Sequence, residues 1–306
     1  MRLKALSVLT ALECVYVGCG SVASNTDASL PLSDVPQTDA SSGPRCNPSQ
    51  PFLNPTAVPN VNSPSDDRTP RLSADELEMF FASNRSGSFD LYVARRANRE
   101  AEFGTPEPIG ELNTLGFEYA PFLASDNLTL YYHPGPEIFV ARRPSRTEPF
   151  SASAPVAGIN SPQDDSDPYL MQDDQVIYFT SNHNNISYDI YRSTRDISGT
   201  FSTPMPVTEI NKDTSIEGSP VVAADGLTIY WATDMGVAGE AEIWVATRPS
   251  TSAAFTSPIR HGTLNPSQTS FDVPGWVSAD NCVIYISSNR SNGVGATDIW
   301  VAQRAQ

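Results

Sequence analysis

Six carboxylates are the first candidates for chemistry. Asp67, Glu118, Asp165 and Glu217 each stand three residues before a proline, and Asp272 stands two before Pro274. Asp167 adds a further acid beside the third of these. Carboxylates held together repel one another, so they attract a cation or keep a proton. As a ring, Asp67, Glu118, Asp165, Glu217 and Asp272 would hold Ca²⁺ or, with Asp167, a basic ligand group. As an unequal pair they would serve as acid and base on a glycosidic bond. Set apart from one another, each would instead accept hydrogen bonds from turn N–H groups or pair with an arginine. The choice depends on how the chain positions them. No other chemistry competes strongly. His133, His183 and His261 share no metal-ligand spacing, and there is no Gly-x-Ser-x-Gly elbow or phosphate loop.

The positioning elements recur with a period of about 50 residues. A segment running from Phe to Asn occurs as FLNPTAVPNVN (52–62), FGTPEPIGELN (103–113), FSASAPVAGIN (150–160), FSTPMPVTEIN (201–211) and FTSPIRHGTLN (255–265). After each come a proline, a turn acid, and an apolar run: LEMFF, LTLYY, QVIYF, LTIYW or CVIYI. An acid–apolar–aromatic triplet follows, as in Asp90-Leu91-Tyr92 and Asp298-Ile299-Trp300. An arginine closes each unit: Arg96, Arg143, Arg195, Arg248 and Arg304. These arginines read as partners of the acids, and the triplet aromatics as packing between units. Asp225-Gly226, Asp126-Asn127 and Asp280-Asn281 suit hairpins, because Gly and Asn accept positive φ.

Four strand-sized runs per unit, repeated radially, predict an all-β, five-bladed β-propeller with four-stranded blades. The last unit lacks an outer strand, and residues 52–62 are a spare one. The ring therefore closes if the N-terminal strand completes the last blade, leaving no free edge. Cys282 lies in that blade and Cys46 just before the joining strand. Either the two form a disulfide across the closure, or Cys282 fills an apolar slot and Cys46 is free.

Units such as SPVVAADGLTIYWAT (219–233) and LSADELEMFFASNRSGSFDLYVARR (72–96) resemble the TolB-type, WD-repeat-like propeller repeat. The resemblance covers residues 52–306 and implies the fold. TolB-like proteins have six blades and an added α/β domain, so their partner does not transfer to this chain.

The remaining sequence bounds location and partners. The chain has 19 Lys and Arg against 35 Asp and Glu, for a net charge of −16. Nucleic acid is excluded as a partner by repulsion of its phosphates. Residues 1–18 read as a lipoprotein-type signal peptide, with Arg2 and Lys4 before a short apolar run and Cys19 as the lipidation site. Residues 19–51, rich in Ser, Asp and Pro, read as a disordered tether. The expectation is an exported, lipid-anchored monomer of the outer membrane, facing periplasm or cell surface; a secreted protein is the alternative. Its function reads as non-enzymatic binding of a protein, glycan or cell-wall ligand. The alternatives are a glycoside hydrolase or a structural scaffold of an envelope complex. The units put the carboxylates on the same face as the loops that differ most in length, where a ligand site is expected.

Overall fold

A computed structural model describes residues 45–171, 174–184, 186–234, 240–256, 258–267 and 270–306. The expected signal peptide, Cys19, tether residues 19–44 and the turn residue Asp173 lie outside the described residues. Five antiparallel sheets of four strands form a propeller ring, with no helix among the described residues. Blade one comprises Asp67–Leu72, Glu78–Ser83, Asp90–Arg95 and Glu107–Pro108. From the axis outward these are strands a, b, c and d, and blades two to four repeat the order.

Blade five combines Asp272–Val277, Val283–Ser288 and Asp298–Gln303 with Thr56–Ala57 from the other end of the chain. Thr56 pairs with Val301 and Ala57 with Trp300, so the N-terminal strand closes the ring as its position in the repeat requires. A disulfide joins Cys46 to Cys282 beside this seam, with Cα atoms 5.6 Å apart. The outer strands are shorter than the Phe-to-Asn segments, pairing regularly over only two residues each. Prolines such as Pro108, Pro155 and Pro206 have no N–H to continue a ladder.

Each repeated residue has a recurring task. The closing Asn clips its segment to strand c through both amide atoms. Asn113 accepts from Leu91 N–H at 2.8 Å and donates to Leu91 C=O at 3.1 Å. Asn160, Asn211, Asn265 and Asn62 do the same on Ile138, Ile190, Ile243 and Ile299. The Phe that opens each segment lies under the closing arginine. The guanidinium-to-ring distances run from 3.9 Å for Arg304 over Phe52 to 5.0 Å for Arg143 over Phe150.

The arginines also join the blades, mostly not through acids. Arg195, Arg248 and Arg304 donate to the tyrosine hydroxyls of the preceding blade, Tyr131, Tyr178 and Tyr230. Arg96 lies near Tyr285 of blade five, whose hydroxyl burial raises and the Arg96 charge partly lowers again. Only the seam between blades one and two departs. Phe80 offers no hydroxyl there, and Arg143 reaches Glu78 instead, at 2.7 Å.

The hairpin turns follow the expected chemistry and extend it. Asn127, Asn281 and Gly226 have positive φ, and so do Glu76 and Asp174. Asp75, Asp126, Asp225 and Asp280 accept the N–H two residues on, which fixes each turn.

Candidate functional site

The five repeat acids begin, or just precede, the innermost strands. All five are at most 1% exposed. Each carboxylate turns back onto its own d–a loop. Asp67 accepts from Ser63 N–H at 2.6 Å and from Arg85 at 2.6 Å. Glu118 accepts from Thr114 N–H and hydroxyl. Asp165 accepts from Ser161 N–H, and Glu217 from Lys212 N–H, Ser215 and Thr233. Asp272 accepts from Ser270, Ser288 and Arg290. Burial raises Glu217 above the ordinary carboxylate range despite these donors. Among the described residues no three acid, imidazole or thiol groups assemble in a way that could hold a metal ion. Each of the five acids thus orders a turn, Asp165 through one oxygen only, its Oδ1 having no hydrogen-bond partner.

The same face also carries a candidate site, made from residues beside the acids. The N–H of each strand-a acid donates to a b–c loop of the preceding blade. Glu118 donates to Phe89 C=O, Asp165 to Pro136, Glu217 to Tyr188, Asp272 to Ala241 and Asp67 to Thr297. This circle of bonds brings the d–a and b–c loops together around one mouth. There the residue after each acid differs among blades: Arg68, Tyr119, Ser166, Gly218 and Val273.

Arg68 lies over Phe89 at 5.5 Å and over Phe271 at 5.0 Å, and bonds Asp66 at 3.2 Å. Tyr119 packs edge-on against Phe89 at 5.2 Å and His133 at 5.5 Å. Burial pushes the Tyr119 hydroxyl up to about 12 and lowers His133 below its usual value, leaving both neutral near pH 7. The Tyr188 hydroxyl donates to Asp164 at 2.7 Å. A cavity of about 390 Å³ opens between blades three, four and five, lined by Asp167, Tyr188, Ile216, Ser219 and Phe271 among others.

Asp167 alone of the six predicted acids reaches this mouth. It sits on the strand-a bulge at φ 50°, as do Thr69, Ala120 and Ser219 in other blades. Such a backbone costs about 1 kcal/mol without glycine. Bonds between blades hold it: Thr69 N–H donates to Ser287 and Ser219 N–H to Thr180.

Buried polar atoms without hydrogen-bond partners concentrate here. They include Oδ1 of Asp66, Asp165 and Asp167, Nε of Arg68 and Nε2 of His133, and deeper in the channel the three side-chain nitrogens of Arg71 are also without partners. Sequence reasoning did not bring Arg68, Tyr119, Tyr188 and His133 together at this mouth. The available signal was disagreement among the units at positions where the repeat otherwise holds.

The fold is thus a closed five-bladed propeller with a polar, aromatic-rimmed mouth at one end of its axis. No protein-family model matches the chain, and no curated protein matches it. Among solved structures it is similar to the catalytic domain of an alpha-L-arabinofuranosidase from Coprinopsis cinerea. The two are 11% identical over 84% of this chain and 98% of that one, with a TM-score of 0.54. An endo-arabinase from Bacteroides thetaiotaomicron is 15% identical over 83% and 97%, with a TM-score of 0.52. TolB from Acinetobacter baumannii is 14% identical over 79% of this chain and 55% of that one, with a TM-score of 0.47. This chain therefore spans about half the length of that TolB. At these identities the likeness concerns the fold alone.

Proposed function

We propose that the chain is an exported, lipid-anchored binding module of the cell envelope that takes a saccharide of a glycan or cell-wall polymer at the channel mouth. The observation that carries this reading is the grouping of unpartnered polar atoms beside half-buried aromatic rings. Asp66, Arg68, His133 and Asp167 offer donors and acceptors that the fold leaves unused. Phe89, Tyr119, Tyr188 and Phe271 offer ring surfaces next to them. Sugars present hydroxyls at their edges and C–H groups on their faces, and sites of this make-up complement both. The anchor rests on the sequence around Cys19.

The test is the melting temperature of the chain against a panel of neutral and acidic oligosaccharides and peptidoglycan fragments, with release of reducing ends measured in parallel. A ligand that prefers the folded state raises the midpoint. A rise that Tyr188→Ala and Asp167→Asn abolish supports the site. A flat panel overturns the saccharide reading in favour of a protein partner. Release of reducing ends would replace binding with hydrolysis.

A further inference from the structure

We propose a second site in the channel beneath the mouth, where the guanidinium of Arg71 binds a compact anion of halide or carboxylate size. This site is independent of what the mouth binds. Arg71 is 1% exposed, yet none of its three side-chain nitrogens meets a hydrogen-bond acceptor. Its guanidinium lies over the Tyr169 ring at 5.1 Å. Tyr169 belongs to blade three and Arg71 to blade one, so the contact crosses the axis rather than a blade seam.

The repeat does not call for a charge at this level. The residues four after the acids in the other units are Phe122, Tyr169, Val221 and Trp276. An arginine among them carries a full desolvation cost that no hydrogen bond offsets. Deprotonation is not a way out. Burial lowers Arg71 to about 10, which still leaves it charged at neutral pH. The nearest carboxylate does not serve either. Asp167 acts on Arg71 through space, but no hydrogen bond joins them, and its own Oδ1 is unpartnered. A planar guanidinium with all its donors unused, stacked on a ring, is the arrangement that receives an anion edge-on.

Size follows from burial. Arg71 is 1% exposed, and the Tyr169 ring beneath its guanidinium packs in turn at a tilt against Phe122, with 4.9 Å between ring centroids. Surroundings this close admit a halide, formate or acetate beside the guanidinium, and not a sugar ring.

The experiment uses the full chain in sodium gluconate at fixed ionic strength, replacing gluconate stepwise by chloride, formate or acetate. The midpoint of thermal unfolding should rise and saturate for at least one of the three, by about 4 °C at tenfold excess over its Kd. Arg71→Met should abolish the rise, while Arg68→Met, at the mouth, should keep it. The order of the three anions reports which size the site prefers. Equal responses in the unaltered protein and Arg71→Met, or no response in either, would overturn the proposal. Should Arg71→Met not fold, bromide-soaked crystals of the unaltered protein decide. An anomalous peak in ion-pair contact with the guanidinium supports the site, and its absence there overturns it.

Discussion

Arg304 of blade five donates from Nη2 to the Tyr230 hydroxyl of blade four at 2.9 Å, while its guanidinium covers Phe52 at 3.9 Å. One side chain thus ties the last blade to its neighbour and to the strand that closes the ring. Tyr230→Phe removes the hydroxyl and keeps the packing. It should cost about 1.5–3 kcal/mol, the range for a hydrogen bond to a charged group. Urea unfolding of the two proteins measures this. A difference below about 0.3 kcal/mol would show that the ring contact alone holds the seam.

The disulfide crosses the same closure. Cys46 and Cys282 are separated by 236 residues, so the bridge keeps nearly the whole propeller in one loop when the chain unfolds. Loop entropy for a closure of this length puts its contribution at about 5 kcal/mol. Arg45 beside it pairs with Glu76 of blade one at 2.8 Å and with Asp280 of blade five at 2.7 Å. Cys46→Ser with Cys282→Ser should lower the thermal midpoint by several degrees, and reductant should do the same to the unaltered protein only. Equal midpoints with and without reductant would remove the bridge from the account of stability.

The fold was legible because its determinants repeat. The clipping Asn, the stacked Phe and Arg, and the turn acids recur at fixed spacing, and Asn62 near one end identifies the spare strand as surely as Asn265 near the other. The site was not legible by the same method. Repetition drew attention to Asp67, Glu118, Asp165, Glu217 and Asp272, and these chiefly order their own loops and the strands beside them. Mouth residues such as Tyr119 and Tyr188 are set by contacts between blades, which spacing along the chain does not encode. Arg71 was visible only as the one charge at an otherwise apolar register.

His261 gives the closure a pH dependence. It packs against Phe52 at 5.8 Å and Tyr230 at 6.2 Å. Burial, and then the charge of Arg304, lowers it to about 4. In the unfolded chain it titrates near about 6.5. The unfolded state therefore binds the extra proton first. The contribution of this residue is complete above about pH 6.5 and is lost as pH falls toward about 4. His261→Phe should reduce the stability lost between about pH 7 and about pH 4.5 by about 1–2 kcal/mol, after allowance for partial exposure. Urea midpoints of both proteins at the two pH values test this. Parallel losses would mean that the imidazole stays solvated enough to titrate normally.

Asp272 and Asp167 separate structure from binding. Asp272 is fully buried and holds Arg290 at 2.7 Å together with the Ser270 and Ser288 hydroxyls. Asp272→Asn leaves Arg290 without its counter-charge, since Arg290 then keeps only Ser288 and the Leu264 carbonyl. The expected cost is about 2–4 kcal/mol. Asp167 faces the mouth and receives only a long contact from Ser166, at 3.3 Å. Asp167→Asn keeps its volume and, at φ 50°, suits the backbone as well or better, because Asn tolerates the left-handed region. It also removes the negative charge that acts on Arg71 through space, so its stability should fall by about 1 kcal/mol at most, less than in Asp272→Asn. Saccharide binding should fall at least tenfold in Asp167→Asn and remain in Asp272→Asn wherever that variant is folded. Measured side by side by calorimetry, the reverse pattern would return the ligand site to the repeat acids, and unfolding of both variants alike would show that Asp167 too is part of the scaffold.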